Sequence, residues 1–207
     1  KLMRVVVVGC EYTGVSTLIS QLDSWGKARG IQHHLDDHFT IPDAFHLSDA
    51  EQEAMLTMLP AIKERFQRFQ LVYHVRLLHR YQHILMGGFH IEEAIYGPRY
   101  YYPDKPQHVR EYEPDMPDDV LLVHLSATPS CIRQRMQDAP HPHTLVATED
   151  VEEVLDAFAL EVRQSWMRRK IVIDTSETSP EQLLETFLER SIPHLTAADA
   201  ATRMLAP

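Results

Sequence analysis

The chain has 207 residues, of which 44% are hydrophobic and 24% are charged, so it can form one domain with a sizeable core and has no composition typical of disorder. Its formal net charge of −10 argues against a general nucleic-acid binder, which needs a concentrated basic surface, but leaves a small anionic ligand open. The apolar run before Gly9 is interrupted by Arg4 and is too short to cross a membrane.

Five short apolar runs predict the strands of a sheet. The first, Arg4–Val8, is rich in β-branched residues and stops at a glycine, which is typical of a buried parallel strand. The other four predicted strands are Ile31–Leu35, Phe89–Ile95, Val120–Leu125 and Lys170–Asp174.

Helical patterns separate these strands. The longest runs from Ala61 to Met86, where apolar residues recur at intervals of three and four after Pro60, and Gly87-Gly88 is predicted to end it. Ser48 and Glu51 have the spacing of a capping box for the next helix, which lies before Pro60. The remaining predicted helices are Gly14–Lys27, Ser130–Met136, Val151–Arg168 and Pro180–Arg190.

Strands that alternate with helices predict a doubly wound, three-layer α/β fold with a five-stranded parallel sheet, in a single domain over residues 1–207. Ligands of such folds bind at the carboxyl ends of the strands. The stretch Tyr96–Pro117 has no helical period and is predicted to be a loop or lid on the substrate side. The tail, residues 195–207, is predicted to be peripheral.

The segment Gly9–Thr17 reads GCEYTGVST and has the spacing of the phosphate-binding pattern G-x-x-x-x-G-K-[ST], with valine in place of the lysine. It follows a strand and begins a helix, as the pattern requires, so its backbone amides are expected to hold the phosphates of ATP. Ser16 is expected to bind Mg²⁺ through its hydroxyl. A tight strand–helix turn without a ligand is the alternative. The residues predicted to bind the cofactor are Gly9, Thr13, Gly14, Val15, Ser16 and Thr17.

Beyond this loop, the chain resembles the P-loop nucleoside and nucleotide kinases over most of residues 3–190. The segment Leu35–Phe39 is similar to the aspartate segment that ends the second strand in uridine and nicotinamide riboside kinases. The resemblance implies that Asp36 is the base toward the acceptor hydroxyl. Paired aspartates after a strand also cap turns, and that alternative stays open for Asp36 and Asp37.

The segment Glu92–Tyr100 is similar to the Glu-Arg-Ser segment of deoxynucleoside kinases and the residues that follow it. The resemblance implies that Glu92 lies near Mg²⁺ and that Arg99 binds phosphate. Glu93 stands where that family has an arginine, which is a second departure besides Val15.

The segment Leu125–Arg135 resembles the strand and arginine-bearing helix that lead to the lid of thymidylate and deoxynucleoside kinases. The resemblance implies that Arg133 and Arg135 bind the donor phosphates and that a lid covers about residues 133–150. Because the two arginines are two positions apart, they do not share one helix face, and one of them can instead form a surface ion pair.

Histidines concentrate around the second predicted strand. His33, His34 and His38 with the two aspartates suggest a metal cluster, but neighbouring strand residues point to opposite faces of a sheet. A structural metal is therefore not favoured there.

Two functions remain open. The favoured one is an ATP-dependent phosphotransferase that acts on a nucleoside, nucleotide or similar small hydroxyl acceptor. The other is a degenerate P-loop module that binds a nucleotide or phosphorylated ligand without transferring phosphate. Asp36, Glu92 and the pair Arg133 and Arg135 favour the enzyme. Val15 and Glu93 favour the binding module.

The two cysteines, Cys10 and Cys131, lie far apart and form no C-x-x-C pair, which fits a reducing compartment. We therefore expect a cytoplasmic protein whose partner is a small-molecule acceptor, with no nucleic acid and no membrane. The sequence leaves a homodimer open.

Overall fold

The computed structural model describes residues 3–37, 48, 50–51, 54, 57–103, 108–141 and 144–195. Within them, five strands form one parallel sheet with the order β2-β3-β1-β4-β5. The strands are β1 (Met3–Val8), β2 (His34–Asp37), β3 (His83–Gly87), β4 (Leu121–Ser126) and β5 (Arg169–Asp174). The predicted five-stranded, parallel α/β fold is confirmed.

Strand β1 lies at the centre of the sheet, paired on one side with β3 and on the other with β4. Its residues Val5–Val8 are fully buried, because helices cover both faces of the sheet. Val6 and Val8 contribute to one core cluster and Val5 and Val7 to the other, as the two-residue period of a strand requires.

Six helices of the described residues form the two outer layers. They are α1 (Val15–Lys27), α2 (Pro60–Arg80), α3 (Phe89–Tyr96), α4 (Pro129–Asp138), α5 (Val151–Gln164) and α6 (Pro180–Ser191). Helices α1 and α6 pack on one face through residues such as Leu22 and Phe187, whereas α2, α3 and α5 pack on the other through residues such as Leu71, Ile91 and Phe158. A π-helical turn, Gly97–Tyr101, and the 3₁₀ helices Val109–Asp115 and Ile192–His194 complete the described elements.

The predicted third strand, Phe89–Ile95, is wrong: this segment is helix α3. The third strand is His83–Gly87, which the helical period had assigned to the end of the long helix. That helix ends at Arg80, and the next residue, Tyr81, is already extended. The physical reason is burial, because Ile84–Gly87 is a fully apolar segment that fills the place between β1 and β2.

Strand β2 begins later than predicted and runs from His34 to Asp37, where it pairs with β3. The predicted contact between Ser48 and Glu51 is present, since the Ser48 amide donates to Glu51 Oε2 across 2.7 Å. Several predictions lie partly outside the described residues: the tail beyond Leu195, residues 104–107 of the predicted loop, residues 142–143 of the predicted lid, and His38 and Phe39. In the part of the chain that the structure describes, no helix is both long and apolar enough to span a membrane.

Candidate functional site

The predicted phosphate-binding loop connects β1 to α1 at the carboxyl edge of the sheet. Gly14 has a φ of 100° and caps α1, a conformation that favours glycine. Gly9 is also required, because a Cβ there would collide with Thr13 Oγ1 and would lie 2.6 Å from the Leu125 carbonyl oxygen. Within the turn, the buried Thr13 donates from both its amide and its hydroxyl to the Cys10 carbonyl oxygen, across 3.1 and 2.7 Å.

The first turn of α1 faces outward. The amides of Val15, Ser16 and Thr17 precede the first i→i−4 bond of the helix, which Leu18 donates to the Gly14 carbonyl oxygen. Gly14 has no side chain that could cap them, and Ser16 and Thr17 are exposed. These amides, at the positive end of the helix dipole, can therefore receive an anion such as a phosphate.

The loop carries no cation of its own. Val15 replaces the lysine, and the only charged side chain between Gly9 and Thr17 is Glu11. Burial and the nearby Glu11 raise the pKa of the Cys10 thiol to about 12, so this cysteine is not a nucleophile at neutral pH.

Arg135, predicted to bind donor phosphates, lies against the loop. Its Nη1 donates to the Tyr12 carbonyl oxygen across 2.8 Å and to Thr175 Oγ1 across 3.2 Å, and its Nη2 donates to the Thr175 carbonyl oxygen across 2.5 Å. Thr175, which directly follows β5, also donates from Oγ1 to the Thr13 carbonyl oxygen across 3.0 Å. Arg135 thus joins the loop to the segment after β5, and its donors are directed at protein acceptors.

The other two predicted arginines donate to residues outside the loop. Arg133 donates from Nε to the Thr148 carbonyl oxygen across 3.2 Å. Arg99 Nη2 donates to Glu153 Oε1 across 2.6 Å, and this bond raises the pKa of the guanidinium. The structure therefore brings one of the three predicted arginines to the loop and gives the other two contacts with the lid region and α5.

Asp36 lies at the end of β2, and its side chain is fully buried between two histidines. His34 Nε2 is 3.8 Å from Oδ2, and Nε2 of His74, from α2, is 3.6 Å from Oδ1. His33 points to the opposite face, where it is buried near Asp23, and burial lowers its pKa. Among the described residues no group of three or more His, Cys, Asp or Glu could hold a metal ion.

Glu92 belongs to the first turn of α3, beside the glycine pair that ends β3. Gly88 has a φ of 75°, and a Cβ on it would collide with Glu92 Oε2. The carboxylate therefore folds back onto the carboxyl end of β3. This packing depends on the absence of a side chain at position 88, which the pattern of apolar residues did not indicate.

Glu93, at the position where the resemblance expects an arginine, points into the protein and is fully buried. Burial, with the charge of Glu64 as a smaller contribution, raises its pKa to about 8. The carboxyl group is therefore largely protonated and neutral at pH 7. It cannot supply the positive charge that a phosphate-binding arginine would.

Sequence reasoning missed three residues of this region: Glu11, Tyr12 and Thr175. Glu11 accepts hydrogen bonds from the amides of Leu145 and Val146, and Tyr12 contacts His141 and Thr144. The left-handed backbone at Tyr12, with a φ of 66°, is rare for a residue with a large side chain. Only the position of Glu11 and Tyr12 inside the loop could have drawn attention to them.

No protein-family model and no curated protein matches this chain. Solved structures do match it. The YorR protein from Bacillus subtilis, in complex with phosphorylated GDP, is 14% identical with a TM-score of 0.63, and the match covers 93% of this chain and 99% of that chain. Thymidylate kinase from Candida albicans is 12% identical with a TM-score of 0.63 and 94% of each chain covered.

Deoxyadenosine kinase from M. mycoides, with bound dATP, is 12% identical with a TM-score of 0.57, and the match covers 91% of this chain and 98% of that chain. Identities this low establish the fold alone. The chain therefore has the fold of the P-loop kinases, as the motifs predicted.

Proposed function

We propose that this chain is a P-loop protein that binds a nucleotide, or another phosphorylated small molecule, without transferring a phosphoryl group. The observation that carries the proposal is the charge around the loop. Its first-turn amides are available to an anion, but the loop contains no lysine, and Arg135, which contacts the loop, donates to Tyr12 and Thr175.

Binding is supported by the geometry of the loop. Gly14 adopts the left-handed conformation, and the amides of Val15–Thr17 precede the first i→i−4 bond of α1, so the helix itself does not use them. ATP is the ligand that we expect, accompanied by Mg²⁺. Because Mg²⁺ usually keeps several waters and binds through substrate phosphates with one or two protein oxygens, the Ser16 hydroxyl and the Glu92 carboxylate suffice chemically as its protein ligands.

The absence of transfer follows from what the reaction needs. Charge that develops on the transferring group must be met by cations, and an arginine supplied there can be worth about 10³-fold or more in rate. Val15 is uncharged, Glu93 replaces an arginine, and Arg99 pairs with Glu153. The predicted base, Asp36, is enclosed by His34 and His74.

A phosphotransferase that acts on a nucleoside, nucleotide or similar acceptor is the second candidate. One observation favours it: Arg135 already lies beside the loop, and its bonds to Tyr12 and Thr175 are of a kind that phosphate oxygens can replace. Asp36 would then be the base, with Arg99 and Arg133 as further phosphate ligands. The small-molecule acceptor, the cytoplasmic location and a homodimer stay predictions.

Calorimetry with ATP and ADP in the presence of Mg²⁺ tests the proposal in wild type and Val15→Lys, with product analysis on the same samples. We expect Val15→Lys to tighten binding without producing transfer. Val72→Lys, which adds the same charge at an exposed position of α2, is the matched control and should leave affinity unchanged. Robust transfer by Val15→Lys would instead identify a kinase disabled at a single position.

A further inference from the structure

Glu11 holds a neighbouring segment of backbone against the loop. Its Oε1 and Oε2 accept from the Leu145 amide across 3.1 and 3.0 Å, and Oε2 also accepts from the Val146 amide across 3.0 Å. Two consecutive amides thus share one carboxylate, an arrangement in which charge strengthens each hydrogen bond. We refer to Thr144–Val146 as the strap.

Tyr12 makes a second set of contacts on the same side. Its ring stacks on His141 with 4.2 Å between ring centroids and 18° between ring planes. The Tyr12 hydroxyl accepts from the His141 amide across 2.8 Å and shares a hydrogen bond of 2.9 Å with Thr144 Oγ1. The backbone of Tyr12 has a φ of 66°, a conformation that surrounding contacts must stabilise in a residue other than glycine.

We propose that Glu11 and Tyr12 form a latch that holds the strap closed on the loop, and that a polyphosphate ligand must open this latch to bind. Both halves of the latch come from the loop itself, two and three positions before Gly14. While the latch is closed, the Glu11 carboxylate is held in the loop that would receive phosphate, and opening the latch frees this negative charge to turn into solvent, so the ligand and the closed latch disfavour each other. This competition rests on the proposed function, whereas the closure of the strap does not.

The competition between ligand and closed latch can be measured from either side, because thermodynamic linkage is reciprocal. If the closed latch weakens ligand binding, then bound ligand must weaken the latch by the same factor. Saturating ADP should therefore speed amide exchange at Leu145 and Val146. A lid that closes over a ligand predicts the opposite, because the ligand would then protect the same amides.

Hydrogen exchange resolved at the strap amides tests the latch, in wild type, Glu11→Gln, Tyr12→Phe and the control Glu153→Gln. Without ligand, Glu11→Gln should speed exchange at Leu145 and Val146 by about tenfold or more, because a charged acceptor is lost. Tyr12→Phe keeps the ring and loses the hydroxyl bonds, so a smaller increase is expected. Glu153→Gln removes an exposed carboxylate that pairs with Arg99 and should leave these amides unchanged.

Affinity for ADP, measured on the same variants, tests the competition. We expect Glu11→Gln and Tyr12→Phe both to bind ADP more tightly, by about fivefold or more for Glu11→Gln. Unchanged exchange in both variants would overturn the latch, and ADP-induced protection of Leu145 and Val146 would overturn the competition. If no variant binds ADP, the proposed function and the competition both fail, and the exchange rates without ligand still decide whether the strap is latched.

Discussion

The guanidinium of Arg135 donates to the carbonyl oxygen of Tyr12 across 2.8 Å. This hydrogen bond connects α4 directly to the predicted phosphate-binding loop. The same side chain reaches both the carbonyl and the hydroxyl oxygen of Thr175. An arginine that the kinase resemblance assigns to phosphate therefore holds two loops together in this structure. Its contribution to stability can be measured without any ligand.

Arg135→Ala should lower the free energy of unfolding by about 2 kcal/mol or more, because hydrogen bonds from a charged donor are lost and the buried Thr175 loses a donor. Urea unfolding, followed by circular dichroism, measures this change. Arg133→Ala is the matched control on the same helix, since Arg133 makes an exposed bond to the Thr148 carbonyl oxygen, and it should lose less than about 1 kcal/mol. Equal losses would contradict a special role for Arg135.

Gly88→Ala should destabilise the protein more than Gly30→Ala. Both glycines have a positive φ, of 75° and 71°, so alanine is strained at either position, and more so at Gly88, whose ψ of −85° lies outside the left-handed helical region. A Cβ at position 88 would also collide with the Glu92 carboxylate, whereas nothing lies within 4 Å of a Cβ at position 30. Thermal unfolding of the two variants measures the difference.

Adding Glu92→Ala to Gly88→Ala separates the two causes. If the collision contributes, the double variant should recover part of the stability lost in Gly88→Ala, because the carboxylate is no longer there. No recovery would mean that backbone strain alone explains the loss.

Glu93→Gln should make stability less dependent on pH. Burial raises the pKa of Glu93 from 4.5 to about 8, so between these values the folded protein binds more protons at this site than the unfolded chain does. This site therefore contributes a loss of stability as pH rises from about 4.5 to 8, and the loss is complete above pH 8. Urea unfolding at pH 5.5, 7 and 9 measures the free energy of unfolding. From pH 5.5 to 9 it should fall more for wild type than for Glu93→Gln, by on the order of a few kcal/mol.

Glu153→Gln is the control for this comparison, because Glu153 is exposed and its pKa is lowered by Arg99 rather than raised. It should follow the wild-type decline over the same range. Parallel curves for wild type and Glu93→Gln would show that Glu93 is ionised without penalty in the folded protein.

Much of the fold could be predicted because β1 and β4 are buried apolar runs and β5 contains the short apolar run Ile171–Ile173. β1, β4 and β5 lie within one or two residues of their predicted bounds. The assignment of β3 failed because Tyr81 and Ile84 continue the helical period of α2, so spacing alone could not show where the helix ends. The pair Gly87-Gly88 ends a strand as readily as a helix.

The candidate site was less predictable than the fold, since a side chain's role depends on what it contacts. The spacing around Gly14 identified the loop, but no pattern shows that Arg135 donates to Tyr12 or that Glu11 accepts from Leu145 and Val146. Such contacts join residues more than 100 positions apart in the chain. They depend on the packing of α4 and the strap over the loop.

A ³¹P NMR titration of ATP and Mg²⁺ tests the central claim most directly, because one spectrum reports both binding and turnover. Wild-type protein is added to ATP with a mixture of nucleosides, nucleoside monophosphates and sugars as acceptors. We expect the ATP resonances to shift or broaden with protein concentration, while ADP forms no faster than in a sample without protein. Acceptor-dependent growth of ADP together with a new phosphate-ester resonance would contradict the claim, as would ATP resonances that stay unperturbed at millimolar concentration.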